Sequence, residues 1–176
     1  MNRFILMSCM SLMTVPLFAL EVMGQAPGEP KCIVTDSGEY TAETVEQVSA
    51  PGTTSGVSRR IDLNSVKFTT RSHEVVAKAG KRFGLKFTVS GLPGNTRITL
   101  RKVVTHPEIH KPDGTVSKGY VVNIGYTTSA EGELTGVEGY GLDLPYEIVT
   151  GKWRFEIWYG DHKLAEEEFN LVKEPS

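Results

Sequence analysis

The residues with the clearest potential for chemistry lie in one short run, His106-Pro107-Glu108-Ile109-His110. Two imidazoles beside a carboxylate are suitable ligands for a divalent metal ion. Zinc-binding helices use the order His-Glu-x-x-His, but here Glu108 comes one position later, and the prolines at 107 and 112 disfavour a helix. A metal site would need a loop and a further ligand, from His73, His162 or Cys32. We therefore expect a rigid, proline-braced loop at one end of the fold, with His106 and His110 as weak metal candidates.

Signatures of covalent catalysis are absent from the sequence. It contains no Gly-x-Ser-x-Gly run, and Cys32 has no recognisable catalytic sequence around it. The glycine-rich run 136–141 carries Glu138, which would repel a phosphate. A Ser-His-Asp group can still assemble from distant parts of a chain, which one sequence does not reveal. We predict no catalytic residue and no cofactor.

Aromatic residues indicate a candidate binding surface. In the run 153–159, Trp153, Phe155 and Tyr159 share one parity and are expected in the core, whereas Trp158 points the other way. An outward tryptophan is a common interface residue, although packing against a crossing strand is the alternative. Tyr140 and Tyr146 bracket a loop and are expected to continue the surface around Trp158.

Several short segments that alternate apolar and polar residues predict β-strands between Gly- and Pro-rich turns. The segments with clear alternation are 83–89, 97–104, 120–126 and 153–159, and those with weaker patterns are 33–40, 43–48, 57–63 with 66–69, and 75–78. Seven to nine strands at this spacing predict an all-β fold, an antiparallel β-sandwich.

The segment 161–173 fits two structures. Leu164, Ala165, Phe169 and Val172 would line one face of a helix. As a strand, Leu164 and Phe169 have opposite parity, which requires a bulge near residues 166–168. We prefer the strand, because the two-residue corner Gly160-Asp161 suits a hairpin.

The N-terminal segment is predicted to be a signal peptide. One basic residue precedes an apolar run from Phe4 to Leu20, and all five methionines precede Gln25. We place cleavage before Gln25, with Ala19 as a second site; an uncleaved anchor is the alternative. The predicted organisation is a signal peptide at 1–24, a flexible leader at 25–31 and one domain at 32–174. The mature chain is expected to be periplasmic or secreted, without a membrane span.

Charge is nearly balanced overall but uneven along the chain. The formal net charge is −2, which gives no reason to expect nucleic-acid binding. Residues 57–104 contain eleven Lys and Arg against two Asp and Glu, whereas residues 105–176 contain six against thirteen. Cross-strand pairing of opposite charges is the preferred interpretation, and a basic sheet face for an anionic partner is the alternative.

Several runs together resemble a known family. These runs are 80–84, 89–94, His106-Pro107, 110–114, Gly151-Lys152-Trp153 and 155–161. They are similar to an uncharacterised family of exported bacterial proteins, domain of unknown function 3859, although Thr150 stands where that family often has proline. The resemblance implies a secreted, Ig-like β-sandwich and implies no activity.

These observations favour an exported, non-catalytic module that binds a protein, a peptide or an envelope component. Binding would use the end loops or an exposed sheet face, through surface complementarity or strand addition. The candidate binding residues are Trp158, Tyr140, Tyr146, His106 and His110. The alternatives are a metal-binding envelope protein that uses His106 and His110, and an unrecognised enzyme. Cys32, the single cysteine of the predicted mature chain, is expected to be buried or to form an intermolecular disulfide.

Overall fold

The computed structural model describes residues 29–175, which form eleven β-strands, two short 3-10 helices and no α-helix. The predicted signal peptide and most of the leader lie outside the described residues. The strands are β1 (Lys31–Thr41), β2 (Thr44–Ser49), β3 (Val57–Ile61), β4 (Lys67–Phe68), β5 (Glu74–Val76), β6 (Arg82–Ser90), β7 (Arg97–His110), β8 (Val116–Thr127), β9 (Leu134–Gly141), β10 (Gly151–Tyr159) and β11 (His162–Val172). The 3-10 helices span Leu63–Ser65 and Pro145–Glu147.

The strands build two sheets and a separate hairpin. One sheet has the order β4-β1-β6-β9, and the other has the order β5-β11-β10-β7-β8. Strands β2 and β3 pair only with each other, and we call this hairpin the arm. The all-β prediction is confirmed, with one departure from an antiparallel arrangement: β5 pairs with β11 in parallel. No helix among residues 29–175 has the length and apolar character needed to cross a bilayer.

The core lies between the two sheets and follows the predicted alternation. On β6, the apolar side chains of residues 83, 85, 87 and 89 are all fully buried. Across the interface, β10 contributes Trp153 and Phe155, whose rings meet the Phe83 ring edge-on at centroid distances of 5.5 and 5.7 Å. Edge-to-face aromatic pairs add to the large area that such side chains remove from water. Cys32 packs against this core from β1, and its burial raises the pKa of the thiol to about 11.

Strand β9 was absent from the sequence prediction. It pairs with β6 along its whole length, from Val89 opposite Leu134 to Arg82 opposite Gly141. Glycines interrupt its alternation because neighbouring groups approach it closely. A Cβ atom at position 139 would lie 2.4 Å from the Phe83 carbonyl oxygen, and one at position 136 would lie 2.6 Å from the Phe87 ring. The glycines that hid the strand are therefore required by its packing.

The prediction of a loop at residues 106–110 is wrong, because these residues form the end of β7. Pairing between β7 and β8 is interrupted between Thr105 and Ile109 and then resumes. Pro107 lies within this irregularity, where the missing N–H of proline removes no ladder hydrogen bond. In the sequence, a proline inside a β-bulge cannot be distinguished from a proline in a loop, which explains the wrong prediction.

The segment 161–173 is a strand, as preferred, but its bulge lies elsewhere. Ile157 pairs with Ala165 and Trp158 pairs with Lys163, so the extra residue is Leu164 rather than one of residues 166–168. The bulge lies close to the tight corner, so the side chains of β11 change faces near the start of the strand. Leu164, the extra residue, packs against the core.

Candidate functional site

A cleft of about 710 Å³ opens between the arm and the edges of both sheets. Its wall on the first sheet is formed mainly by six consecutive β9 residues, 136–141, with Tyr40 of β1 and Arg82 of β6. Its wall on the second sheet comes from β8, mainly Val122, Ile124 and Tyr126, and the arm contributes Val57 and Ile61. Ligand sites in proteins typically enclose about 300–1,000 Å³ and combine apolar walls with a few polar groups. The cleft has the size and the apolar walls of such a site.

Both sheet walls of the cleft are edge strands. β9 pairs with β6 on one side only, and β8 pairs with β7 on one side only. The side of an edge strand without a neighbour presents backbone N–H and C=O groups that no ladder satisfies. Within residues 29–175 the arm forms no ladder with either edge. The cleft is therefore bordered by backbone groups that are able to pair with another extended chain.

A buried ion pair forms the polar part of the cleft floor. The Lys102 ammonium of β7 lies 2.5 Å from a Glu138 carboxylate oxygen of β9, and the two residues are only 8% and 5% exposed. The Tyr126 hydroxyl donates to the same carboxylate at 3.1 Å, and the Lys102 ammonium donates to the Gly139 carbonyl at 3.4 Å. These contacts join the two sheets at the floor.

The ionisation of this floor follows from its contacts. Burial is the largest single influence and would lower the pKa of Lys102, but the charge and hydrogen bond of Glu138 act together with Tyr120 and Tyr40 to raise that pKa, so the ammonium stays charged. Burial raises the pKa of Tyr40 to about 12 and also raises the pKa of Tyr126, so both phenols stay neutral. The floor of the cleft therefore contains the Lys102–Glu138 ion pair, in which the two charges cancel, next to neutral tyrosines.

The arm is held over the cleft by polar contacts at three places. Arg59 of β3 forms an ion pair with Asp143, which follows β9. The Thr54 hydroxyl at the tip of the arm lies 2.8 Å from His106 Nε2 on β7. At the base, the Arg82 guanidinium donates to the Ala42 carbonyl and the Thr44 hydroxyl, each at 3.0 Å.

Opposite charges from the basic and acidic stretches of the sequence do meet. The pairs that join the two stretches include Arg59–Asp143, Lys78–Glu174 and Lys102–Glu138. None of the three lies across two neighbouring strands: Lys102–Glu138 connects the two sheets, Arg59–Asp143 connects the arm to the segment after β9, and Lys78–Glu174 lies beyond the ends of β5 and β11. The preferred interpretation of cross-strand pairing therefore does not describe these contacts.

The structure does not build a metal site from the two weak candidates, His106 and His110. His106 is only 4% exposed, and its Nδ1 and Nε2 atoms contact the Pro107 carbonyl and the Thr54 hydroxyl. His110 is exposed and lies beside Glu108, with 3.7 Å between the imidazole Nε2 and the carboxylate. No group of three or more His, Cys, Asp or Glu side chains suited to a metal ion occurs in the part of the chain that the structure describes.

The predicted aromatic surface divides into unrelated sites. Tyr140 is only 5% exposed, because it points inward from β9 and its ring centroid lies 4.7 Å from that of Trp153. Its hydroxyl donates at 2.6 Å to the fully buried Glu147, so it does not continue an outer surface around Trp158. Tyr146 packs partly against the core.

Trp158 points away from the core as expected, but it is half-buried by charged neighbours. The Arg101 guanidinium lies 4.7 Å from its ring centroid, and the Lys163 ammonium lies 5.6 Å away. The indole N–H donates to Glu156 at 2.8 Å. Cation–π contacts from adjacent strands thus occupy this ring, rather than the crossing strand considered in the sequence analysis.

One serine–histidine–carboxylate contact does form from distant parts of the chain. Ser37 Oγ lies 2.9 Å from His73 Nε2, and a Glu167 oxygen lies 3.1 Å from the same nitrogen. A catalytic triad needs the serine and the carboxylate on opposite ring nitrogens, so that the base is oriented while it accepts the serine proton. This group lacks that arrangement.

Comparisons with known proteins agree with the fold. The family model of a domain of unknown function, DUF3859, matches residues 33–171, and the chain belongs to this family. A crystal structure of an immunoglobulin-like protein from Pseudomonas aeruginosa is similar over 84% of this chain and 99% of that one, with 23% sequence identity and a TM-score of 0.60. This similarity establishes an Ig-like fold. No curated protein matches the chain.

The ion pair at the floor predicts a large loss of stability when only one partner is removed. Lys102→Met leaves the Glu138 carboxylate buried without compensation and should lower the free energy of unfolding by about 3–5 kcal/mol. The double variant Lys102→Met with Glu138→Gln removes that charge and should recover most of the loss. Urea denaturation measures both values. A loss below about 1 kcal/mol for the single variant would contradict the buried pair.

The burial of His106 predicts that the stability of the protein depends on pH. Burial lowers the pKa of His106 from its ordinary value of 6.5. The unfolded chain therefore binds a proton more readily, so stability is complete above pH 6.5 and falls as the pH decreases through the folded-state pKa. Urea denaturation between about pH 7.5 and 5.5 should show this fall, and His106→Gln should flatten it. The exposed His110 provides the control, since His110→Gln should retain the dependence of stability on pH seen in the parent protein. If His106→Gln retains it as well, the assignment of this dependence to His106 is refuted.

Proposed function

We propose that the protein is an exported, non-catalytic binding module that accepts an extended peptide segment of a partner protein in the cleft. The mechanism is strand addition, in which the peptide backbone pairs with an unpaired sheet edge. The observation that carries this proposal is that two edge strands, β8 and β9, border one cleft. Export rests on the sequence of the first 24 residues.

The dimensions of the cleft suit an extended chain. An extended chain rises about 3.3 Å per residue, so six β9 residues correspond to a segment of about 20 Å. Successive side chains of such a segment point to opposite sides. Val122 and Ile124 would contact one set of side chains, whereas the other set would meet the arm, which lines the cleft with Arg59 as well as Val57. Apolar residues at alternate peptide positions are therefore favoured.

The other proposed functions have less support from the geometry. A metal site at His106 and His110 would have to break the contacts that His106 makes inside the protein. An enzyme that uses Ser37 would lack a correctly oriented base. The Trp158 surface would first have to release two cationic neighbours from the ring.

Selection from a phage-displayed library of random linear ten-residue peptides tests this proposal. The purified protein should enrich peptides with apolar residues at alternate positions. Val122→Arg places a charge in the cleft and should abolish enrichment, whereas Val121→Arg changes the outer face of the same strand, where the residue is 56% exposed, and should have no effect. Leu63→Arg provides a second cleft variant at a position that is 44% exposed and tolerant of a polar side chain.

Thermal melts establish that each variant is folded before the selection. No enrichment by the parent protein would refute the proposal. Enrichment that survives both cleft variants but is lost in Trp158→Ala would refute it as well and would assign binding to the Trp158 surface.

A further inference from the structure

The charged groups that line the cleft do not balance. Four cationic side chains reach its walls or floor, whereas only two carboxylates do so. Both carboxylates are already paired, Glu46 with Arg60 at 2.6 Å and Glu138 with Lys102. Arg59 pairs with Asp143 beside the cleft. Within residues 29–175, Arg82 is the cleft cation that forms no ion pair with a carboxylate.

Arg82 is positioned to bind an anionic group at one end of the β9 edge. It is the first residue of β6 and pairs with Gly141, the last residue of β9. Its two hydrogen bonds, to the Ala42 carbonyl and the Thr44 hydroxyl, hold the guanidinium in place. A guanidinium has five N–H donors, so donors remain for a carboxylate. Hydrogen bonds from a guanidinium to a carboxylate are charge-assisted and are stronger than hydrogen bonds between neutral groups.

We infer that the peptide accepted by the cleft carries an acidic side chain, Asp or Glu, and that Arg82 binds it. This inference rests on the proposed function and adds the chemistry of the partner segment. A basic segment would meet unneutralised positive charge at Arg82, and a purely apolar segment would leave the guanidinium without an anionic partner. The acidic side chain would lie near the carboxyl end of β9, because Arg82 faces that end of the edge.

The same peptide selection, followed by affinity measurements, tests this inference. Peptides enriched by the parent protein should contain Asp or Glu at one recurring position. Replacement of that residue by Asn or Gln in a fluorescein-labelled synthetic peptide should weaken the Kd about tenfold, as measured by fluorescence anisotropy. In Arg82→Gln the two peptides should bind with Kd values within about twofold of each other, because the contact that distinguishes them is lost.

Arg97→Gln is the matched control. Arg97 is an exposed arginine at the start of β7 that does not line the cleft, so this variant should keep the tenfold preference. Enriched peptides without an acidic preference, or a preference that persists in Arg82→Gln, would overturn the inference and leave strand addition in place. Failure to enrich any peptide would instead refute the proposed function itself.

Discussion

The unpaired edges of β8 and β9 are the structural constraint on which the candidate site depends. Backbone N–H and C=O groups need hydrogen-bond partners, and a long exposed edge invites pairing with another chain. In this protein both edges face one cleft, and the arm covers that cleft through side-chain contacts rather than a backbone ladder. Backbone pairing therefore remains incomplete at a sheltered position, where a partner of the right shape gains hydrogen bonds and apolar contact together.

The ion pair at the floor is best explained by its position between the sheets. Two buried charges lose much of their hydration, so such a pair contributes little net stability compared with apolar residues of similar volume. Lys102 nevertheless reaches from β7 to both the Glu138 carboxylate and the Gly139 carbonyl of β9. It thereby fixes the β9 edge relative to the second sheet and leaves Arg82 as the cleft cation without an ion pair among residues 29–175.

Sequence reasoning recovered the core because a strand with one buried face alternates at every second residue, as residues 83–89 and 153–159 do. It missed β9 because close packing against β6 requires glycines where side chains would reveal the alternation. It also missed the cleft, since the arm is placed by contacts between residues distant in sequence, such as Thr54 with His106. One signal was present: Lys102 shares the inward parity of Ile98 and Leu100, and a charged residue on a buried face needs a partner.

Amide hydrogen exchange along β9 tests strand addition most directly. The free protein is compared with its complex with an enriched acidic peptide, residue by residue. Strand addition predicts slower exchange at those amides of residues 136–141 that do not bond to β6, because the peptide backbone would accept from them. A saturating peptide that leaves β9 exchange unchanged, or protects only the outer face of β10 around Trp158, would contradict this account.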